Sequence, residues 1–318
     1  METIRHWTRA VGDRITRKPS AMAPEDLEKL PESIRDHVKT MRTATRWKER
    51  VKAANQLHQS DSAAIPHLID ALDDPHPEVR VAAARALIWM EPENSRNATP
   101  RLIRMLKEEK NAQGRDIAAT ALGITGSTQA APALIQALAD RNAMVRHQVI
   151  EALSRLKYHD AAPAVHRLLT DKDDSVRKSA ADFLGIARYG PAHDDLRQRL
   201  QTDSDHYVQR AAARALGHFQ SENDVDLLMN VIGRKHVTDE AAKALGKIGE
   251  KILEKNPKPS LGHPLAFAIK HVDPAEHPQA FRIFHRDVQD PDYADLNTRE
   301  WRLHAAQLKS DETALKAA

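Results

Sequence analysis

The 318-residue sequence contains no cysteine, which excludes a disulfide scaffold, a thiol nucleophile and every thiolate-bound metal. Aromatic residues are scarce, at 4% of the chain, fewer than a compact α/β core of this length normally uses. Charge of one sign is lacking too. Lys and Arg number 48 against 45 Asp and Glu, so no global field advertises a polyanion partner. Long apolar runs are absent. The longest uncharged stretch, Ile117 to Ala139, has the length to span a bilayer, but turn residues from Gly123 to Gln129 interrupt it and Pro132 follows. It reads as two short buried helices and a loop. The N-terminus lacks an apolar core followed by small residues, so no secretory signal is expected and Asn97-Ala98-Thr99 reads as an accidental sequon. What remains is the composition of a helix-rich cytoplasmic protein.

Self-similarity organises the rest. Leu57, Leu87, Leu122, Leu153, Leu184, Leu216 and Leu245 recur at intervals of 29 to 35 residues. Eight residues before the leucine stands Val79, Val145, Val176, Val208 or Val237, with Glu49 and Gly114 as exceptions. The next position holds Arg50, Arg80, Arg115, Arg146 and Arg177, then Gln209 and Thr238. Alanines fill the approach to the leucine, as in Ala82-Ala83-Ala84 and Ala211-Ala212-Ala213, and Pro66, Pro100, Pro132 and Pro163 open their units.

Each unit decodes as a helical hairpin. Pro66 sits in a first turn, where its missing N–H costs nothing, and Leu68, Ile69 and Leu72 form a helical apolar stripe. Asp73 to Pro77 is a turn of residues that do not continue a helix, and Val79 to Trp89 is the second helix. The alanines explain the low aromatic count, because small side chains let neighbouring helices approach and make a thin, continuous core. One hairpin buries too little alone, and stacking supplies the rest.

The pattern of proline, leucine, turn acid, Val-Arg and Ala-Leu resembles the HEAT repeat, in the short form of phycobilisome lyase-like proteins. Asp140, Val145-Arg146 and Ala152-Leu153 match it most closely, with Asp171, Val176-Arg177 and Leu184, and the resemblance covers roughly residues 42 to 250. It implies an all-α, right-handed α-solenoid (an armadillo-type superhelix) of about seven hairpins. It says little about function, since the family includes scaffolds, enzymes and adaptors.

A turn acid lies six residues before each arginine, giving Asp74 and Arg80, Glu109 and Arg115, Asp140 and Arg146, Asp171 and Arg177. As a functional device this column would grip an acidic peptide or a nucleic-acid backbone. The paired occurrence favours a structural ladder in which each acid caps the second helix and each arginine pairs with an acid of its own or a neighbouring unit. Partner-reading residues are expected instead at variable exposed positions of the second helices, which line a solenoid's concave face, among them Arg85, His147, Lys178, Arg210, Arg214, Lys243 and Lys247. Asp116, Glu151, Asp182 and Asp239 occupy equivalent positions, so signs alternate, and aromatics are not interleaved, which argues against a nucleic-acid groove. Arg210, Arg214, Lys243 and Lys247 form a modest basic patch.

Deoxyhypusine hydroxylase, which resembles this repeat, binds two irons through His-Glu pairs. This sequence has no His-Glu dipeptide, and His147-Gln148 offers an amide in the carboxylate's place. His159-Asp160 and His193-Asp194 fall in register before first helices, where capping explains them. Bilin lyase activity has no compact motif to test and stays open as the alternative.

The ends differ from the middle. Residues 1–60 carry 13 Lys and Arg against 8 Asp and Glu, and Ile4, Trp7, Val11 and Ile15 form an apolar stripe. That segment reads as a docked cap, or as an anchor on an anionic membrane surface or in a partner groove. One helix is expected from Pro24 to Met41, then Thr45 to Gln59 as the second helix of an incomplete first unit. The last 58 residues hold Phe267, Phe281, Phe284, Tyr293 and Trp301 with five histidines whose spacing does not suit a metal, and they read as a helical cap. The expected organisation is a basic helical extension (1–41), the solenoid (42–250) and a divergent cap (251–318). The expected function is a cytoplasmic, non-catalytic scaffold for one or more proteins, with no cofactor and no metal. Nucleic-acid or membrane-surface binding through the basic N-terminal region is a further alternative.

Overall fold

The computed structural model describes residues 24–58, 62–91, 95–231, 234 and 236–255. Among them every regular element is helical. The N-terminal anchor residues Ile4, Trp7, Val11 and Ile15 and the expected C-terminal cap lie outside the described residues.

A short helix α1 (Pro24–Glu28) precedes seven hairpins. These are α2 (Glu32–Thr43) with α3 (Trp47–Gln56), α4 (Ile65–Ala71) with α5 (Pro77–Ile88), α6 (Thr99–Glu108) with α7 (Ala112–Thr125), and α8 (Ala131–Ala137) with α9 (Ala143–Arg155). They continue with α10 (Ala162–His166) and α11 (Asp174–Ile186), α12 (His193–Thr202) and α13 (His206–Phe219), and α14 (Val225–Val231) and α15 (Thr238–Lys255). The helix expected from Pro24 to Met41 is broken at Pro31, whose ring removes the N–H that a continuing helix needs. Beyond it Ile34, Val38 and Met41 bury one face of α2 against α3, so the first hairpin has both helices where the sequence suggested one.

The contacts divide the chain into two compact bodies, within Met1–Ala161 and Ala162–Ala318. In the N-terminal body the second helices α3, α5, α7 and α9 pack in a row; in the C-terminal body α11, α13 and α15 do the same. All seven repeat leucines are at most 1% exposed, and each contributes about 1.5–3 kcal/mol by burial. The rows close tightly because small residues meet. A Cβ added at Gly123 would stand 2.8 Å from Ala152 Cα, and one at Gly217 the same distance from Ala244 Cα.

Turn chemistry fixes the hairpins. His76 Nδ1 accepts the Glu78 N–H, Asn111 that of Gln113, Asn142 that of Val145, Asp173 those of Ser175 and Val176, and Asp205 those of Tyr207 and Val208. The second helices of hairpins three to six end on one left-handed residue, four positions after the leucine: Gly126 (φ 68°), Lys157 (51°), Arg188 (47°) and Gln220 (52°). Only the first is the glycine that this conformation favours.

Candidate functional site

The arginine column forms rungs between successive hairpins. Arg50 grips Asp74 through Nε and Nη2 at 2.8 and 2.9 Å. Arg80 Nε donates to Glu109 at 2.8 Å, Arg115 meets Asp140 at 2.6 and 2.9 Å, and Arg177 meets Asp203 at 2.9 and 2.8 Å. Nη1 of each turns back to carbonyls of its own turn, for example Arg177 to Asp171 and Lys172 at 2.9 and 3.1 Å. Arg146 makes the same bond to the Asp140 carbonyl at 2.8 Å.

The acids do not cap the second helices, a correction to the expected role. Two residues upstream of the capping position, Asp74, Asp140, Asp171 and Asp203 instead accept the N–H of the capping residue itself, at 2.8 to 3.0 Å. Burial pushes the Asp140 and Asp203 carboxyls up, but the arginine hydrogen bonds, the turn N–H and nearby cations outweigh it and hold both below the usual carboxylate range. Their hydrogen bonds to Asp140 and Asp203, set against burial, leave the Arg115 and Arg177 guanidinium groups above their ordinary value.

The first helices carry a second set of rungs. His193 Nε2 lies 2.8 Å from Asp224, which Arg197 also holds, and His166 Nε2 lies 2.6 Å from Asp195. Asp70 takes Arg42 and Arg101, and Asp73 takes Arg101 and Arg104. No side chain caps α12, so the capping expected of His193-Asp194 is replaced by the bond to Asp224, one hairpin on. Among the described residues no three His, Asp or Glu side chains are grouped to hold a metal.

The second-helix face differs between the bodies. In the N-terminal body Arg85 is exposed on α5 and His147 half-buried on α9, where its charge partly offsets the upward push of burial on Asp116 of α7. Val81, placed by the repeat at an outward position, is buried. In the C-terminal body Lys178, Arg210, Arg214, Lys243 and Lys247 come together across α11, α13 and α15. Asp182 lies 3.2 Å from Lys178 and 3.3 Å from Arg214; Glu240 lies 3.5 Å from Arg210 and 3.4 Å from Lys243. Sequence reasoning missed three members of this surface. Arg188 and His218 stand at the ends of α11 and α13, and Lys251 donates to the Gln220 carbonyl at 3.2 Å. The repeat register held the signal, since His218 and Lys247 both follow their leucine by two residues.

The sequence profile of HEAT repeats matches residues 34–123, 99–185 and 193–259. The chain belongs to the HEAT-repeat family. The fold is accordingly an all-α solenoid. Among solved structures, this HEAT-repeat chain is similar to YibA of E. coli, with 20% identity and TM-score 0.53 over 82% of this chain and 95% of that one. An engineered protein matches with 21% identity and TM-score 0.51, covering 82% of this chain and 85% of its own. The complex of CpcE and CpcF of phycocyanin lyase from Nostoc sp. PCC7120 matches with 20% identity and TM-score 0.45, over 81% and 96%. No curated protein matches the chain. Among the described residues no helix is long and apolar enough to cross a membrane.

Proposed function

We propose that the protein is a cytoplasmic, non-catalytic scaffold that binds a protein partner on the outward face of its second helices. The carrying observation is a division of labour between surfaces. The arginine column, the most regular cationic feature of the sequence, spends its guanidinium donors on the next hairpin's carboxylate and its own turn carbonyls. It leaves little for a partner. The second-helix face instead carries charged side chains that change from hairpin to hairpin, with those of Lys178, Arg210, Arg214 and Lys243 39–41% exposed. Solenoids recognise partners with such extended surfaces.

Position-specific photo-crosslinking in the native lysate tests this reading. A photoreactive residue at Arg85 or Arg210, both on second helices, is expected to capture one protein that the same residue at Pro132 or Gln198, on first helices, does not. Capture confined to the first-helix positions would assign the partner surface to the opposite face.

A further inference from the structure

In the C-terminal body α11, α13 and α15 set their outward residues in a common register. Six and two residues before each leucine, and two after it, stand Lys178, Asp182 and Ile186 on α11, Arg210, Arg214 and His218 on α13, and Asp239, Lys243 and Lys247 on α15. The two ends of this face differ. At the N-terminal end of the helices Glu240 occupies both Arg210 and Lys243. At the other end the charges of Arg188, Arg214 and Lys247 all act on the half-buried His218, and Asp182, already shared by Lys178 and Arg214, is the acid that acts against them. Arg214 Nε is buried and donates no well-aligned hydrogen bond despite lying 3.3 Å from Asp182. Among the described residues no carboxylate pairs with Lys247. Helix dipoles favour cations at the ends of α11 and α13, which accounts for Arg188 and His218 but not for Lys247, in mid-helix on α15. Arg188 also holds a left-handed backbone conformation that glycine would adopt with less strain.

We propose that Arg188, Arg214, His218 and Lys247 form a carboxylate-binding site and that the partner is an extended polypeptide segment rich in Asp and Glu. This rests on the second-helix face being the partner surface and names the chemistry that it reads. Charge complementarity carries the assignment. Spacing agrees along α13, where Arg214 and His218, four residues apart, are separated by about 6 Å, and an extended strand repeats its same-face side chains every ~6.6 Å. A nucleic acid fits less well. Asp182 and Glu240 sit in the face and oppose dense phosphate charge, and none of its nine register positions holds a Phe, Tyr or Trp for base stacking, the exposed Tyr207 standing apart at the N-terminal end of α13. Burial, then the charges of Lys247 on α15, Arg188 beyond α11 and Arg214 on α13 hold the His218 imidazole below its ordinary pKa, with Asp182 on α11 opposing. A carboxylate bound among them stabilises the imidazolium, so binding takes up a proton and tightens as pH falls.

Fluorescence anisotropy on the full chain tests the proposal, with a labelled peptide of alternating Glu and Ser as probe and a Lys-Ser peptide and a thymidine oligonucleotide as comparisons. At about 0.1 M salt, where long-range effects are screened, the Glu-Ser peptide is expected to bind and the Lys-Ser peptide not. R214A/K247A is expected to weaken binding roughly tenfold, two exposed pairs of a few-fold each, and R214K/K247R to retain most of it. Arg188→Gly separates binding from folding, because it relaxes the backbone: the variant should be at least as stable as the parent and still bind the peptide less well. Affinity should rise several-fold from about pH 7.5 to about 5.5, a change lost in His218→Gln. The proposal is overturned if the Glu-Ser peptide fails to bind, if R214A/K247A or Arg188→Gly leaves affinity unchanged, or if the oligonucleotide binds more tightly. If α13 positions still crosslink a protein while the acidic peptide fails, only the acidic chemistry is wrong. If both fail, the partner surface itself is elsewhere.

Discussion

Gly185 on α11 and Ala215 on α13 meet so closely that a Cβ at position 185 would stand 2.5 Å from Ala215 Cα. Two effects compete in Gly185→Ala. Alanine gains about 1 kcal/mol of helix propensity, while overpacking against an atom that cannot rotate away costs about 1–3 kcal/mol. The clash is expected to win, lowering the denaturation midpoint of the C-terminal body. Gly190→Ala is the control, since its Cβ would meet nothing within 4 Å. Equal effects of the two substitutions would remove close approach as the reason for glycine at 185.

Within the arginine column the rung from Arg177 to Asp203 has the most buried acid, with the aspartate side chain 1% exposed. Arg177→Ala leaves that carboxylate without its guanidinium and is expected to cost about 3–5 kcal/mol. Arg141→Ala, on an exposed turn, should cost less than about 0.5 kcal/mol. Urea titrations followed by circular dichroism compare them. A small loss for Arg177→Ala would mean that Arg199, 3.4 Å from the same carboxylate, suffices to hold it.

His67 makes the N-terminal body sensitive to mild acid. Its Nδ1 lies 3.1 Å from Arg42 Nη1, a group that only donates, so the folded imidazole is neutral. Burial, then the Arg42 charge, lowers its pKa from 6.5 against the pull of Asp70. Below about pH 6.5 the unfolded chain binds a proton that the folded chain resists, so stability present above that pH is lost as pH falls toward the folded value. His67→Gln, which keeps an acceptor, should flatten the stability profile between about pH 7 and 5. Asp140 and Asp203 act in a lower window, losing their contribution below about pH 3.9. An unchanged profile in His67→Gln would move the cause to another group.

Lys157 holds a φ of 51° at the end of α9. Lys157→Gly is expected to raise stability by about 1 kcal/mol, because the strain of a side chain in this region exceeds the extra freedom of unfolded glycine. A thermal melt reads the sign directly, and a fall would show that the lysine side chain contributes more than its backbone costs.

Much of the fold was legible because it depends on local pattern. The leucine column and its alanines marked every second helix from α3 to α15, and the turn residues at Gly123 to Gln129 separated α7 from α8. The direction of the rungs was not. The acid six residues before an arginine is adjacent in sequence, but it serves the arginine of the preceding hairpin, and only packing decides that pairing. The first helix α2 opens on Pro31, 26 residues before its leucine rather than the 21 or 22 of Pro66, Pro100, Pro132 and Pro163, so its Ile34, Val38 and Met41 stripe went unmatched to a hairpin. The site around His218 was half visible. Arg210, Arg214, Lys243 and Lys247 stood out as charges, whereas Arg188 enters only because the chain turns left-handed after α11.

Each rung reaches one hairpin forward and then closes on its own turn, which makes the ladder acid a splice point. A cut after Glu109 rejoined after Asp140 would carry Arg146 to the carbonyl of Glu109, while Arg80 kept Glu109 as its partner. The excised stretch, α7 with α8, is one repeat long, and the rejoined chain has the same local grammar as before. A protein built this way can gain or shed length by copying errors at its turns, and its lineage is free to vary in reach while the chemistry of every joint stays the same.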